Sequence, residues 1–269
     1  MSTRQPVVAG QFYPADKVKL KTYIQHVTKN PSKPPAPAKG CILPHAGYVY
    51  SGGVAGATLA TLKLPQRIVI LCPNHTGLGT PLSILSQGSW RTPLGESRVD
   101  TELAEALKKQ FPLLQEDGMA HEQEHAIEVQ LPFFQVLVQD FTFVPIVVGT
   151  AQVEVLSALG VVLAKVLSAL APEALIVASS DMNHYESDEV TRRKDAMALE
   201  KILLLAPEEL LHVTQKEGIT MCGVAPAAVM LTAAKRLGAT HAELIQYATS
   251  GDAFNDRARV VGYAGVTVA

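Results

Sequence analysis

The chain has 269 residues, 48% of them hydrophobic, so it is long enough and apolar enough to bury one large core. Only 18% of the residues are charged and the formal net charge is −2, so no basic field attracts nucleic acid or an anionic membrane surface. The three cysteines do not indicate a disulfide framework, the first residues contain no apolar targeting segment, and no apolar stretch looks long enough to span a bilayer, so we expect a cytoplasmic protein.

The predicted elements begin with a helix over residues 17–28 and a proline-rich connector that ends at residue 38. Beyond it, short apolar runs typical of buried strands alternate with longer helical periodicities. Strands are predicted at residues 40–43, 67–72, 142–148, 174–179, 241–249 and 259–268. Helices are predicted at residues 53–62, 101–109, 124–138, 153–170, 188–204 and 224–237, with a break at Pro132 and a turn at 250–252. This order predicts one α/β domain over residues 1–269, with a central mixed, mainly parallel sheet flanked by helices and residues 1–38 packed on its body.

Polar side chains follow three of the predicted strands. His45 follows strand 40–43, His75 follows strand 67–72, and Asp181 and His184 follow strand 174–179. Ligands collect at the carboxyl ends of strands in open α/β sheets, so these residues are expected to share one pocket if their strands are neighbours. The alternatives are loop histidines bonded to nearby carbonyls and a helix capped by Asp181.

A cysteine adds a third kind of donor to this set. Cys222 precedes the helix predicted at 224–237, where the helix dipole favours a thiolate. Together with His45 and His75 it would offer a transition metal two imidazoles and one thiolate, with a position left open for chemistry. Asp181 and His184 would then act as an acid/base pair in which Asp181 orients His184, or as partners that orient the metal ligands. A buried apolar cysteine is the alternative for Cys222, and it is the reading we adopt for Cys41 and Cys72.

The run from His121 to Glu128 is the densest set of metal-ligand residue types in the chain. His121 and His125 have the spacing of the HExxH metalloprotease pattern, but no third zinc ligand follows at a fitting distance. We therefore favour a helix on which His125 and Glu128 lie one turn apart and face the pocket. A polar stripe on an exposed helix face is the alternative.

Several segments of the chain, taken in order, resemble the Memo family. They cover nearly the whole sequence and are Phe12-Tyr13-Pro14, Pro44-His45-Ala46-Gly47-Tyr48 with Ser51-Gly52, Pro73-Asn74-His75, Arg91-Thr92-Pro93-Leu94-Gly95, Glu124-His125-Ala126-Ile127-Glu128 with Leu131-Pro132, Val147-Val148-Gly149, Ser179-Ser180-Asp181 with His184, and Cys222-Gly223. The combination is specific, although no single segment is.

The resemblance implies a fold related to the class III extradiol dioxygenases, which hold iron(II) with two histidines and a carboxylate. Memo-like proteins keep the two histidines, matched here by His45 and His75, and have a cysteine, matched by Cys222, in place of the carboxylate. Asp181 and His184 match further pocket residues of the family. Tyr48, His125 and Glu128 lie in its motifs and are expected to line or support the pocket. The expected metal is iron or copper, with zinc as a further possibility, because a thiolate is a softer ligand than a carboxylate and suits copper and zinc.

The function expected from these residues is that of a metal-dependent redox enzyme with a dioxygenase-like pocket. The alternative is a non-catalytic module that binds a peptide or protein on an enzyme-like scaffold. The ligand is expected to be a small molecule or a peptide. The resemblance also implies association with AMMECR1-like and radical SAM proteins.

Overall fold

The computed structural model describes residues 3–254 and 256–269. Its strands are β1 (Thr3–Arg4), β2 (Gly40–Leu43), β3 (Arg67–Pro73), β4 (Leu82–Ile84), β5 (Ser89–Thr92), β6 (Gly95–Val99), β7 (Gln115–Glu116), β8 (Thr142–Val148), β9 (Leu175–Ser179), β10 (His184–Glu186), β11 (Ala242–Thr249) and β12 (Val260–Val268). Its helices are α1 (Lys17–Val27), α2 (Tyr48–Ala60), α3 (Thr101–Gln110), α4 (Met119–Glu122), α5 (Leu131–Leu137), α6 (Val153–Leu170), α7 (Asp188–Leu203), α8 (Pro207–Lys216), α9 (Val224–Arg236) and α10 (Ser250–Phe254), with a 3-10 helix at Glu128–Gln130.

The strands form one mixed sheet with the order β1-β5-β6-β8-β3-β9-β2-β12-β10. The strands β6, β8, β3, β9 and β2 run parallel at its centre, and β12 joins β2 in antiparallel orientation. The predicted α/β fold with a mixed, mainly parallel sheet is therefore confirmed. The strand β9 lies between β2 and β3 and pairs with both, so the carboxyl ends of all three strands meet at one edge of the sheet.

Helices cover both faces of this sheet, so its central strands are apolar in both directions. In β3, Val69 and Leu71 pack into the core under α3, α6 and α9, whereas Ile68 and Ile70 pack into the core under α1, α2 and α5. Cys41 and Cys72 are fully buried and free. The prediction that both are buried apolar residues is confirmed.

The helix α6 has the predicted bounds, and its residues are strongly apolar. Its 18 residues, Val153–Leu170, suffice in length and composition to cross a membrane, so the expectation that no apolar stretch is long enough is wrong. Seven of these residues are nevertheless buried, and the helix packs against α3 and α9. This packing is typical of a core helix.

Two glycines of α2, Gly52 and Gly56, allow the N-terminal helix α1 to pack closely on the body of the protein. The helix α2 begins at Tyr48, five residues before the predicted start, because Gly52 and Gly53 do not interrupt it. A β-carbon on Gly52 would lie 2.5 Å from the Tyr23 hydroxyl, and one on Gly56 would lie 2.4 Å from Val27. Glycine at both positions lets α1 pack closely on α2, and α1 also contacts α5.

Two predicted elements are wrong. The helix expected over 124–138 starts late, because residues 123–127 form an irregular segment that precedes the 3-10 helix and α5. Within it Glu124, Ala126 and Ile127 are buried. Pro132 lies in the first turn of α5, where its missing N–H costs no hydrogen bond, so it begins this helix instead of breaking it. The turn expected at 250–252 is the start of α10.

Candidate functional site

The edge of the sheet formed by the ends of β2, β3 and β9 opens into a cavity of about 870 Å³. Its wall contains all the residues that the sequence proposed as metal ligands or catalytic groups, together with one histidine from the 123–127 segment. These are His45, His75, His125, Asp181, His184 and Cys222. Residues that lie up to 177 positions apart in the chain therefore share one site.

His45 is held between the end of β9 and Cys222. Only 2% of its surface is exposed, its Nδ1 lies 3.0 Å from Ser179 Oγ, and its Nε2 lies 3.1 Å from Cys222 Sγ. Burial, followed by the neighbouring imidazoles of His75 and His125, holds the pKa of His45 well below its ordinary value. The ring is therefore neutral at neutral pH, as a metal ligand must be.

Glu124 orients the other two imidazoles. Its Oε1 lies 2.9 Å from Nδ1 of His75 and 3.5 Å from Nδ1 of His125, and it also accepts the backbone N–H of Ala126. Burial opposes ionisation of this carboxyl, but the bonds from His75 and from two backbone N–H groups outweigh burial and hold the pKa at about 2. A carboxylate only accepts, so Nδ1 of His75 carries a proton. Burial lowers the pKa of His75, but Glu124 outweighs burial and raises it, and in the neutral ring Nε2 offers its lone pair to a metal ion.

The three imidazoles form one cluster. The ring centroids of His45 and His75 are 5.1 Å apart, and those of His75 and His125 are 4.8 Å apart. One donor atom from each of the three rings lies within 4.8 Å of the others. Imidazole nitrogens with an adjacent thiol suit iron, copper and zinc better than magnesium or calcium, so the donor chemistry fits the group that the resemblance implies.

Cys222 is adjacent to this cluster without belonging to the group of three. Burial, followed by the charge of Asp181, raises the pKa of its thiol, so the sulfur is protonated unless a cation stabilises the thiolate. The next residue, Gly223, packs directly against the end of β9 and so places Cys222 beside the cluster. A β-carbon on Gly223 would lie 2.4 Å from the backbone oxygen of Ser179, and the Gly223 N–H donates to Ser180 Oγ.

Asp181 and His184 both line the cavity, but they make no hydrogen bond to each other within the described residues. Asp181 Oδ1 accepts the backbone N–H groups of His45 and Ala46, and burial raises its pKa despite these bonds. His184 is oriented by Thr220, whose carbonyl oxygen lies 2.9 Å from Nδ1 and whose hydroxyl accepts the His184 backbone N–H. The idea that Asp181 orients His184 is therefore corrected.

Two of the residues expected to line or support the pocket lie outside the cavity. The fully buried carboxylate of Glu128 accepts bonds from the Tyr13 hydroxyl, from Arg4 and from the backbone of the N-terminal segment. Tyr48 is buried and donates its hydroxyl to the carbonyl of Val129. His125 and Glu128 do not share a helix face, because the helix that would have aligned them begins only at Glu128.

The HExxH interpretation fails for the same local reason. His121 lies in the short helix α4, which ends at Glu122, so His121 and His125 are not on one helix. His121 is fully buried against Trp90 and is absent from the cavity wall. Burial holds its pKa at about 4.

Four site residues were missed by sequence reasoning, namely Glu124, Ser179, Gln130 and Thr220. Glu124 stands beside His125 in the run of metal-ligand residue types, but the expected helix places Glu128, and not Glu124, on the face towards the pocket. Ser179 ends a predicted strand, which was a usable signal. Nothing in the sequence near Gln130 or Thr220 indicates a role, because both act through contacts with distant segments.

The buried carboxyl of Asp195 is expected to make the free energy of unfolding depend on pH. Asp195 accepts the Asn183 backbone N–H and the Tyr247 hydroxyl, and burial outweighs these bonds and raises its pKa to about 6. The folded protein therefore keeps a proton that the unfolded chain loses near pH 3.8. Stability from this group is complete below pH 3.8, and about 3 kcal/mol of it is lost as the pH rises from 3.8 to about 6.

Urea unfolding at several pH values checks this expectation. Asp195→Asn should flatten the fall in the free energy of unfolding between pH 4 and pH 7. An equally steep fall in the variant would show that other groups cause it.

The chain matches the family model described as Memo-like protein over residues 4–267. It is 42% identical to a MEMO1 family protein of Aquifex aeolicus, with 99% of each chain covered, and 42% identical to one of Ignicoccus hospitalis, with 99% of this chain and 98% of the relative covered. A MEMO1 family protein of Pyrobaculum arsenaticum is 39% identical, with 99% of each chain covered. The model and the relatives extend over nearly the full length, so the chain belongs to the Memo family.

Proposed function

We propose that the cavity binds one iron or copper ion, with zinc as the alternative, and that the protein is a metal-dependent redox enzyme with a dioxygenase-like pocket. The proposed ligands are His45, His75 and Cys222, with His125 as a further imidazole of the same cluster. One observation carries the proposal: donor atoms of three imidazoles lie within 4.8 Å of one another, and the Cys222 thiol lies 3.1 Å from His45 Nε2. Iron or copper supplies redox chemistry that protein side chains alone do not offer.

His184 is the proposed proton-transfer group. The Thr220 carbonyl that faces its Nδ1 can only accept, so Nδ1 carries the proton and Nε2 has a free lone pair. A neutral imidazole in the cavity wall can then take a proton from a bound substrate at Nε2. Asp181, whose raised pKa makes it a better proton carrier than an exposed carboxyl, lies in the same wall.

The cavity walls favour a small organic substrate with an apolar part. The volume of about 870 Å³ lies within the range of small-molecule sites. Aromatic rings from Phe12, Tyr50, Tyr185 and Tyr263 line it. Tyr185 has a positive φ of 62°. Residues other than glycine rarely adopt this backbone conformation, and it is often found at functional sites.

A second candidate function is the binding of a peptide or protein at the same cavity. The observation that favours it is exposed aromatic surface at the mouth, where Tyr185 is 64% exposed and Phe254, which packs on Tyr50, is 60% exposed. This candidate requires that ligand affinity survives removal of metal by a chelator. An affinity that depends on metal would count against it.

Association with AMMECR1-like and radical SAM proteins stays a prediction from the family resemblance. We also propose a cytoplasmic location. It is supported by the three free thiols of Cys41, Cys72 and Cys222, since reducing compartments preserve such thiols.

Replacing Cys222 by serine tests the proposed ligand set. A serine hydroxyl is not ionised at neutral pH, so Cys222→Ser should lose most of the bound iron or copper, together with any sulfur-to-metal absorption band. His125→Ala should keep the metal with weaker binding. Elemental analysis of both variants decides: full metal content in Cys222→Ser with loss in His125→Ala would transfer the ligand role to His125.

A further inference from the structure

We infer that Ser179 is a positioning residue that keeps the proton of His45 on Nδ1 and leaves Nε2 open. The inference deepens the proposed function and rests on it in one respect, since Nε2 is the atom that a metal ion would bind. The evidence is a closed set of hydrogen bonds among residues that are all buried.

The hydroxyl of Ser179 has three partners. Ala126 O lies 2.7 Å from its Oγ, Gln130 Nε2 lies 2.9 Å from it, and His45 Nδ1 lies 3.0 Å from it. A hydroxyl offers one proton and two lone pairs. The Ala126 carbonyl can only accept, so it takes the proton of Ser179. Both nitrogens must then donate to Oγ, which places a proton on Nδ1 of His45.

The orientation of the Gln130 amide follows from the same reasoning. Its Nε2 lies 2.9 Å from the carbonyl oxygen of Pro44, which can only accept. A flipped amide would place two oxygens against each other there and would leave Ser179 without its second donor. The observed orientation leaves Gln130 Oε1 buried without a hydrogen-bond partner among the described residues. Buried groups without partners are uncommon, so an arrangement that tolerates one suggests that the two donated bonds matter.

The sheet holds these partners in a fixed geometry. Pro44 follows β2 and Ser179 ends β9, and the two strands pair with Leu43 opposite Ser179. Gln130, at the end of the 3-10 helix, spans both strand ends with one amide group. The amide thus links the 3-10 helix to the edge of the sheet that carries His45.

Removing the Ser179 hydroxyl deprives the Nδ1–H of His45 of its acceptor. A buried N–H without a partner is costly, so the form with the proton on Nε2 should become populated. That nitrogen faces Cys222 Sγ at 3.1 Å, and once protonated it can neither accept the thiol proton nor bind a metal ion. Ser179 therefore controls the availability of a nitrogen that it does not touch.

The test is the NMR spectrum of the imidazole nitrogens in metal-free protein labelled with ¹⁵N-histidine. In the wild type, His45 should carry its proton on Nδ1 alone. Ser179→Ala removes the acceptor of the Nδ1–H, so the Nε2-protonated form should become populated. Ser97→Ala is the matched control, because this serine is also buried, also accepts a bond from a glutamine amide, that of Gln135, and lies away from the cavity. The control should leave the His45 signals unchanged.

A second variant and a second measurement complete the test. Gln130→Met removes one donor to Ser179 but leaves the Ala126 carbonyl to take the hydroxyl proton, so His45 should keep its proton on Nδ1 in this variant. Zinc affinity should fall roughly 10- to 100-fold in Ser179→Ala and stay unchanged in Ser97→Ala. The inference is overturned if His45 keeps its proton on Nδ1 in Ser179→Ala, or if Gln130→Met moves the proton as far as Ser179→Ala does. A wild type that carries the proton on Nε2 would also overturn it, and the wild-type spectrum decides the matter if Ser179→Ala does not fold. A wild type that binds no metal would refute the proposed function, while the proton position would still decide this inference.

Discussion

Replacing His75 by alanine is expected to weaken metal binding more than about 100-fold, because loss of a ligand should exceed the 10- to 100-fold effect of losing a ligand's hydrogen-bond partner. The substitution removes one of three clustered imidazoles and also deprives Glu124 of the Nδ1–H that it accepts. Isothermal titration with zinc, and iron loading without oxygen, measure the effect.

His212→Ala is the control for this experiment, because His212 is an exposed residue of α8 outside the cavity wall. The control should bind metal like the wild type. Equal metal binding by His75→Ala and His212→Ala would remove His75 from the proposed ligand set.

Replacing Arg4 by methionine is expected to lower the free energy of unfolding by about 3–5 kcal/mol, the usual cost of removing one partner of a buried ion pair. The side chain of Arg4 is 8% exposed, and its Nη1 lies 2.7 Å from the fully buried Glu128 carboxylate. The same guanidinium donates to the carbonyl oxygens of His121 and Glu124. One side chain therefore neutralises a buried charge and secures the segment that carries His125.

Urea unfolding measures this loss, and two further variants identify its cause. Arg91→Met breaks an exposed pair with Glu96, in which the two side chains are 52% and 39% exposed, and should cost less than about 1 kcal/mol. Adding Glu128→Gln to Arg4→Met should restore part of the stability, because the unpaired charge is then gone. Equal losses for Arg4→Met and Arg91→Met would show that the buried pair contributes no more than a surface pair.

The parts of the site that could be predicted from the sequence are those at strand ends. Apolar runs such as residues 67–72 mark buried strands, and the carboxyl ends of parallel strands meet at one edge, so His45, His75 and Asp181 could be placed together on the condition that their strands are neighbours. The intervening position of β9 was not predictable, because strand order depends on how the helices pack. It did not alter the outcome, since all three strands are parallel.

The parts that could not be predicted depend on the irregular segment at residues 123–127. Periodicity suggested a helix there, which would align His125 with Glu128, but tertiary contacts from Arg4 and Ser179 hold the backbone in another conformation. Glu124 consequently faces the imidazoles while Glu128 binds the N-terminal segment. Hydrogen bonds between positions more than 40 apart leave no local pattern in a sequence, which is why Glu124 and Gln130 were missed.

The most direct test of the metal-dependent function is elemental analysis of the wild-type protein purified without oxygen, combined with absorption and electron spin resonance spectra. The proposal predicts about one iron or copper ion per chain and a spectrum that shows a sulfur ligand from Cys222. A protein that stays free of metal after incubation with iron(II), copper(I) and zinc would contradict it.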